Sequence, residues 1–524
     1  MIRSENAAEP ALSERASSIS HRITLHPALR DFVVTGMASF LVAVAAAVVI
    51  SILGKTAGPV LLGEYLLIRR MASWLQAGVQ LPSGVALPRV VAFNMEEPSL
   101  IKQTYFLAAL LASCVIALFL IIVLMIWRNV LSQLFFGSAR LDHLVLPLCL
   151  LLLGLAIHGV VFGYYQGALA MGWASTLQLC NLVLVPIFAT ILLRSRDSIP
   201  LIVNTIGISM CGIACLFALP VVCKWELGVT PKQLKKQSSE LLSYGFARIF
   251  GDMGLQAMLS LPAVVAAHYF PIGSVTFLLL GGSFLTVVGA ASLPLGIILL
   301  SRVSRSVAQM RTAQLQVRVT HFVRALIELS AFICLQMIVF SDVIVRAWVG
   351  PSFLEGIRII QITILAVPFY FIYAGLRSVI DAAAVRAYNT RNIVISGIVF
   401  LLFIALIKIN VSPNHLLEWL AASGAVGLAV LAFCTLRTIR HLIHIDLEWF
   451  RILPGLCLAA IFGALSFFLR EWSHYELGLL SLLLYELFVA GLYFLVMWTL
   501  RSSWVHFLLN SMFLSATVKQ EIVE

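Results

Sequence analysis

The sequence predicts an all-α polytopic membrane protein with about fourteen transmembrane helices: two parallel six-helix lobes around a central cavity, with two C-terminal helices appended. Three observations predict it. Of 524 residues, 61% are hydrophobic and only 11% charged, with a mean hydropathy of +1.01, which is far too apolar for a soluble domain. The apolar residues fall in runs of roughly 18 to 27, long enough to cross a bilayer at 1.5 Å per residue. Finally, part of the chain recurs 212 positions later: Pro59 falls on Pro271, Leu66-Leu67 on Leu278-Leu279, Leu81-Pro82 on Leu293-Pro294, Gly84 on Gly296 and Gly163 on Gly375. Prolines and glycines in register point to an internal duplication of the kind transporters use.

In order, the spans fall near 31–53, 65–88, 104–127, 143–168, 175–194, 199–223, 241–268, 273–300, 321–341, 357–380, 392–409, 416–437, 452–470 and 477–500. The duplication covers an even number of helices, so both copies run the same way through the membrane. The expected organisation is a polar tail over 1–30, a first lobe over 31–223, a linker over 224–240, a second lobe over 241–440, the appended helices over 441–500 and a tail over 501–524. The opening residues lack a signal peptide's compact apolar segment. Arg and Lys concentrate in the segments on the N-terminal side, as in Arg302-Val303-Ser304-Arg305, which places both termini in the cytosol.

The formal charge of +11 comes from basic residues scattered between spans, so it sets orientation and does not form a nucleic-acid face. All nine cysteines lie in or at the ends of apolar runs without a C-x-x-C pair, as buried, inert thiols do. Gly54-Lys55-Thr56 has the end of a phosphate-binding loop, but Val49 stands where its first glycine belongs. H-E-x-x-H and G-x-S-x-G are absent too. The loops, none above about twenty-five residues, are too short for a folded domain, so the function belongs within the membrane.

Polar groups inside spans carry the information there, because each needs a partner, water or a ligand. In predicted helix two, Arg69, Ser73, Gln76, Gln80 and Ser83 recur at steps of four and three, one face of a helix beside Arg70. A charged, amide-bearing face turned to lipid would cost several kcal/mol, so it should face protein or a water-filled cavity; snorkelling to the headgroups is the bland alternative, weaker for Arg69, with the polar stripe behind it, than for Arg70. Helix seven carries Arg248, Asp252 and Gln256. Helix five carries Gln178 and Asn181, helix four His158, helix ten Arg377 and Asp381, and helix nine Arg324 and Glu328. The i,i+4 spacing of Arg248–Asp252, Arg324–Glu328 and Arg377–Asp381 suggests intrahelical ion pairs.

The Gly54–Asn94 stretch, with its glycine turn, the Gly63-x-Tyr65 step and a long helix ending near a Pro-Arg step, resembles the start of polysaccharide flippases of the multidrug/oligosaccharidyl-lipid/polysaccharide exporter (MOP) superfamily. So do LLSYGFARIFGDMG from Leu241, FGYYQGALAMG from Phe162 and IVRAWVGPSFLEG from Ile344. The resemblance spans about the first four hundred residues. It implies a V-shaped pair of lobes in a bacterial inner membrane. By alternating access they would carry an undecaprenyl-diphosphate-linked oligosaccharide to the periplasmic leaflet for O-antigen, capsule or exopolysaccharide (lipopolysaccharide-type) assembly. It implies no cofactor, metal or enzymatic step. A coupling H+ or Na+ ion and a polysaccharide polymerase with its chain-length regulator are compatible partners. Arg69 and Arg248, then Arg70 and Arg377, are the expected anion contacts; Gln76, Gln80, Gln178 and Asn181 suit sugar hydroxyls, and Asp252 and Gln256 complete the expected cavity. A peptidoglycan-precursor flippase ranks second, although only Arg30-Asp31 precedes its first helix where that branch carries an arginine motif. A drug/cation antiporter of the same fold would need a buried carboxylate without a fixed partner, and a glycan polymerase or ligase a large outer loop.

Overall fold

The computed structural model describes residues 27–94, 99–196, 198–223, 229–289, 312–384, 386–473 and 478–500. Among them the regular elements are all helical. The first, α1 (Pro27–Val79), would be about 80 Å long if straight, far more than a bilayer's ~30 Å apolar core. It breaks at Gly58, whose φ of 75° and ψ of −175° suit only glycine. Pro59 then opens the second arm with a fixed helical φ and no N–H to satisfy. The break falls within the Gly/Pro turn expected between the first two spans, although the helix runs on through Gly54 up to it.

There follow α2 (Ala86–Phe93), α3 (Ser99–Ile126), α4 (Arg128–Phe136), α5 (Val145–Gly167), α6 (Met171–Leu179), α7 (Val185–Leu193) and α8 (Ile199–Val222). A five-residue π turn, Cys180–Leu184, joins α6 to α7 where Pro186 cannot donate to the carbonyl one turn earlier. Next come α9 (Pro231–Ala267), α10 (Ile272–Gly289), α11 (Thr312–Val339), α12 (Ser341–Trp348), α13 (Ile357–Ile364) and α14 (Val367–Ala383). The chain ends with α15 (Tyr388–Asn410), α16 (Pro413–Ile443), α17 (Trp449–Ser473) and α18 (Leu479–Thr499). Twelve of these elements, some joined across short breaks, are long and apolar enough to span a membrane among the described residues. The bent segment Pro351–Ile364 plus Val367–Ala383, kinked by 46° ahead of Pro368, makes a thirteenth, and the two arms of α1 account for the first two expected helices.

Three expectations change. The second arm of α1 stops at Val79 instead of continuing to residue 88, because Pro82 disfavours helix at Leu81 and offers no donor; the chain turns through Ser83 N–H to the Gln80 carbonyl, 3.0 Å, before α2. More than half of the expected 224–240 linker is helix: Thr230 and Gln233 form a capping box that starts α9 at Pro231, several turns ahead of the candidate span Ile249–Ala267. The segment expected as an outer loop at 342–356 is α12 and a 3₁₀ turn, Pro351–Gly356.

The Gly58–Pro59 break in α1 touches the α9–α10 corner at Pro271, 212 positions on in the sequence: Thr276 Oγ1 donates to the Pro59 carbonyl at 2.7 Å, and Gly63 lies against Ile272 and Thr276. The repeats at Leu293-Pro294 and Gly296 lie outside the described residues. Large side chains such as Phe119, Leu192 and Phe488 remain exposed along the outer faces, as lipid-facing residues should.

Gly63→Val forces a side chain into Ile272 and Thr276 and should lower stability by about 1–3 kcal/mol, seen as a lower thermal melting point in detergent. The control Gly36→Val, where a side chain meets nothing within 4 Å, should leave it unchanged.

Candidate functional site

Two cavities lie between α1 and the helices α9, α10 and α14. The larger, about 290 Å³, is lined by Ser73, Gln76 and Gln80 from the second arm of α1 and its turn, by Gly245, Asp252 and Gln256 of α9, and by Arg377 of α14. The smaller, about 100 Å³, is lined by Arg69, Arg70 and Ser73, by Ser283 and Thr286 of α10, and by Trp348. Ser73 belongs to both, so one polar file runs along the arm from Arg69 to Gln80. Ser83 leaves it: the turn at Pro82 buries its hydroxyl without a partner.

With the second arm running from Pro59 to Val79, the two arginines lie about 15 Å from its Pro59 end at 1.5 Å per residue, about midway along it, farther from either end than a snorkelling side chain reaches. Arg69 Nη1 lies 3.5 Å from Tyr65 Oη, one turn back, a long contact, with its guanidinium carbon 5.8 Å from that ring's centre. Arg70 reaches across to α10, where a side chain at Gly282 would stand 2.8 Å from its Nη2. Neither cation has a carboxylate partner among the described residues.

Arg377, by contrast, is paired. Its Nη2 donates to Asp252 Oδ1 at 3.0 Å, joining α14 to α9, with both side chains nearly half exposed to the cavity. The expected Arg377–Asp381 pair gives way to Asn389 Nδ2, which donates to Asp381 at 2.8 Å and to the Arg377 carbonyl at 3.0 Å. The side chain of Arg248 lies outside the described residues, and so does its expected pairing with Asp252. Arg324–Glu328 is not an ion pair either: Arg324 Nη2 donates to the Asp446 carbonyl at 2.9 Å and lies 3.8 Å from Glu448.

Gln178 and Asn181 are elsewhere. Asn181 sits on the π turn, fully buried, donating at 3.2 Å to the Met210 carbonyl and lying 3.2 Å from His158 Nδ1; it ties α5, α8 and the π turn together inside the first lobe. Neither residue lines the cavities. Gln80 does, lying against Gly159 of α5. Sequence reasoning misses Ser283 and Thr286; their spacing, three apart in a predicted span, is the signal that could have found them.

Contacts between distant parts of the chain flank both ends of the file. At the Gly58 end, Ser51 Oγ donates to the Trp348 carbonyl at 2.5 Å and Trp348 Nε1 to the Ala47 carbonyl at 2.8 Å, with Phe284 edge-on to the indole at 5.2 Å. At the Pro82 end, Arg89 of α2 bonds the Tyr244 hydroxyl and lies 4.8 Å over its ring, and Gly245 abuts the Leu81 carbonyl. Among the described residues no three His, Cys, Asp or Glu side chains converge as a metal site.

The fold around this cavity is similar to that of solved membrane transporters. The solved structure of the Lipid II flippase MurJ, in an inward closed conformation, superposes with a TM-score of 0.69 at 14% identity, over 88% of this chain and 98% of its own. An inward-facing multidrug resistance MATE family transporter of the MOP superfamily gives 0.59 at 13%, over 78% and 94%. A mutant of the Vibrio cholerae MATE transporter VcmN gives 0.52 at 15%, over 79% and 96%. No protein-family model matches the sequence, and no curated protein does.

In a background with the nine cysteines replaced, Gln76→Cys and Gln80→Cys should react with a small water-soluble thiol reagent, whereas Asn181→Cys should be protected at least tenfold; labelling rates checked by mass spectrometry decide it. Gly282→Ala should push Arg70 aside and lower affinity for any anion held there.

Proposed function

We propose that the protein is a flippase that moves an undecaprenyl-diphosphate-linked oligosaccharide across a bacterial inner membrane for O-antigen, capsule or exopolysaccharide assembly, with both termini cytosolic and the lobes dividing near residues 224–240. The observation that carries this reading is the pair Arg69–Arg70, two guanidiniums mid-membrane, beside a cavity and without a carboxylate. A cation so placed needs an anion, and a diphosphate offers the planar, bidentate acceptors that suit a guanidinium. The neighbouring Ser73, Gln76, Gln80 and Gln256 offer the neutral donors and acceptors that sugar hydroxyls require. The contacts at the two ends supply the gates alternating access needs, and their opposite positions fit a protein that opens one end at a time.

A peptidoglycan lipid precursor is the second reading, favoured by the likeness to the Lipid II flippase MurJ. Both substrates share the polyprenyl diphosphate, so the arginines serve either and the sugar-facing amides decide between them. A drug or cation antiporter fits less well, since the Arg69–Arg70 file would repel a cation.

In proteoliposomes, transfer of undecaprenyl-diphosphate-linked oligosaccharide between leaflets should fall about 10- to 100-fold in Arg69→Ala and Arg70→Ala, from roughly 1.5–3 kcal/mol per charge-assisted hydrogen bond, with Arg→Lys intermediate. Transfer of the peptidoglycan precursor alone would establish the second reading; undiminished transfer in both alanine variants would refute the role of the arginines.

A further inference from the structure

Outside the cavities, one buried carboxylate among the described residues stands with neither oxygen hydrogen-bonded. Glu328 lies midway along the membrane-spanning part of α11, fully buried, and neither carboxylate oxygen has a hydrogen-bond partner among the described residues. Gly455 of α17 packs directly on it: a side chain there would stand 2.6 Å from Glu328 Cδ. The groups around it are few. Tyr493 of α18 donates to the backbone carbonyl of Glu328 at 3.4 Å, not to its carboxylate. On its own helix, one turn back, Arg324 turns toward Asp446 and Glu448 in the segment leading into α17, where Arg451 also bonds Glu448. Arg324 Nε is itself buried with no acceptor.

A bare carboxylate in so dry a place, without donors, is the costliest state a side chain can adopt in an apolar layer, and protonation relieves it. The matching free donor on Arg324, four residues away, shows where the charge would be compensated if the proton left.

We propose that Glu328 is a proton-binding site that latches the C-terminal helix pair α17–α18 to α11. Protonated, the acid is neutral and fits dry beneath Gly455, and Arg324 holds the Asp446–Glu448 segment. When the O–H bond breaks and the proton passes to bulk water, the new carboxylate draws the Arg324 guanidinium from Asp446 and Glu448, and the start of α17 comes free. The aromatic contact of Phe332 with Tyr493, 4.2 Å between centres, keeps the rest of the pair docked. The site lies apart from the anion file and does not depend on what that file carries.

The test is infrared spectroscopy of the full-length protein in lipid at neutral pH, comparing it with Glu328→Gln. A protonated-carboxyl band present in the parent, shifted by heavy water and lost in the variant, is the expected result; identical spectra in that region overturn the site. Glu328→Asp, which keeps the acid and moves the band, serves if the glutamine variant does not fold. Spin labels at exposed Val317 and Phe450 then report the latch. Their separation should increase at alkaline pH in the parent and stay constant in Glu328→Gln, and an equal increase in both overturns the latch.

Discussion

A guanidinium halfway through a bilayer cannot be left to the hydrocarbon, and the arrangement around Arg69 and Arg70 follows from that constraint. Water, an anion or a carboxylate must face each one. Carboxylates are placed elsewhere: Asp252 is held by Arg377 and Asp381 by Asn389. The two remaining cations open onto a cavity between the repeats, where Tyr65 supplies one with a ring face and Gly282 leaves the other room to lie against α10. The same fold that gathers the polar file also sets contacts at both of its ends, Trp348 with the Ala47 carbonyl at one and Arg89 with Tyr244 at the other.

The position of the file follows from one corner: Pro59 of α1 meets the α10 turn, and the polar residues of the second arm face α10 across that contact. Lipid-facing residues could stay uniformly apolar, and the chain's few charges concentrate where helices meet protein or water. The Arg377–Asp252 pair belongs to this pattern: a cross-helix link inside the second repeat, lining the same cavity and leaving its lone pairs and donors partly exposed to whatever enters.

Hydropathy alone makes the membrane helices legible, because run length and apolar content answer to bilayer thickness rather than to tertiary contacts. The boundaries answer to single residues: the corner falls at Gly58–Pro59, inside the expected Gly/Pro turn, but the polar stripe reads through Pro82 although the helix stops at Val79. Ion pairs are the least legible feature. Spacing of i,i+4 predicts partners within a helix, yet Arg377 and Arg324 both find partners in other segments, since burial lets a neighbouring helix or a linker carbonyl compete at equal distance. Gln178 and Asn181 carry the right chemistry for sugars, but the π turn rotates Asn181 inward to Met210. For Glu328 the pairing suggested by sequence hides its most informative property, that among the described residues its carboxylate has none.

The central claim is that Arg69 and Arg70 form an anion site made for a polyprenyl diphosphate. The most direct measurement is equilibrium binding of undecaprenyl diphosphate to the purified protein by native mass spectrometry, set beside undecaprenol of the same chain length. The account predicts that the diphosphate binds at least tenfold tighter, that the preference weakens with salt, and that it disappears when both arginines are replaced by alanine. Equal affinity for the uncharged alcohol, or an undiminished preference in the double variant, would contradict it.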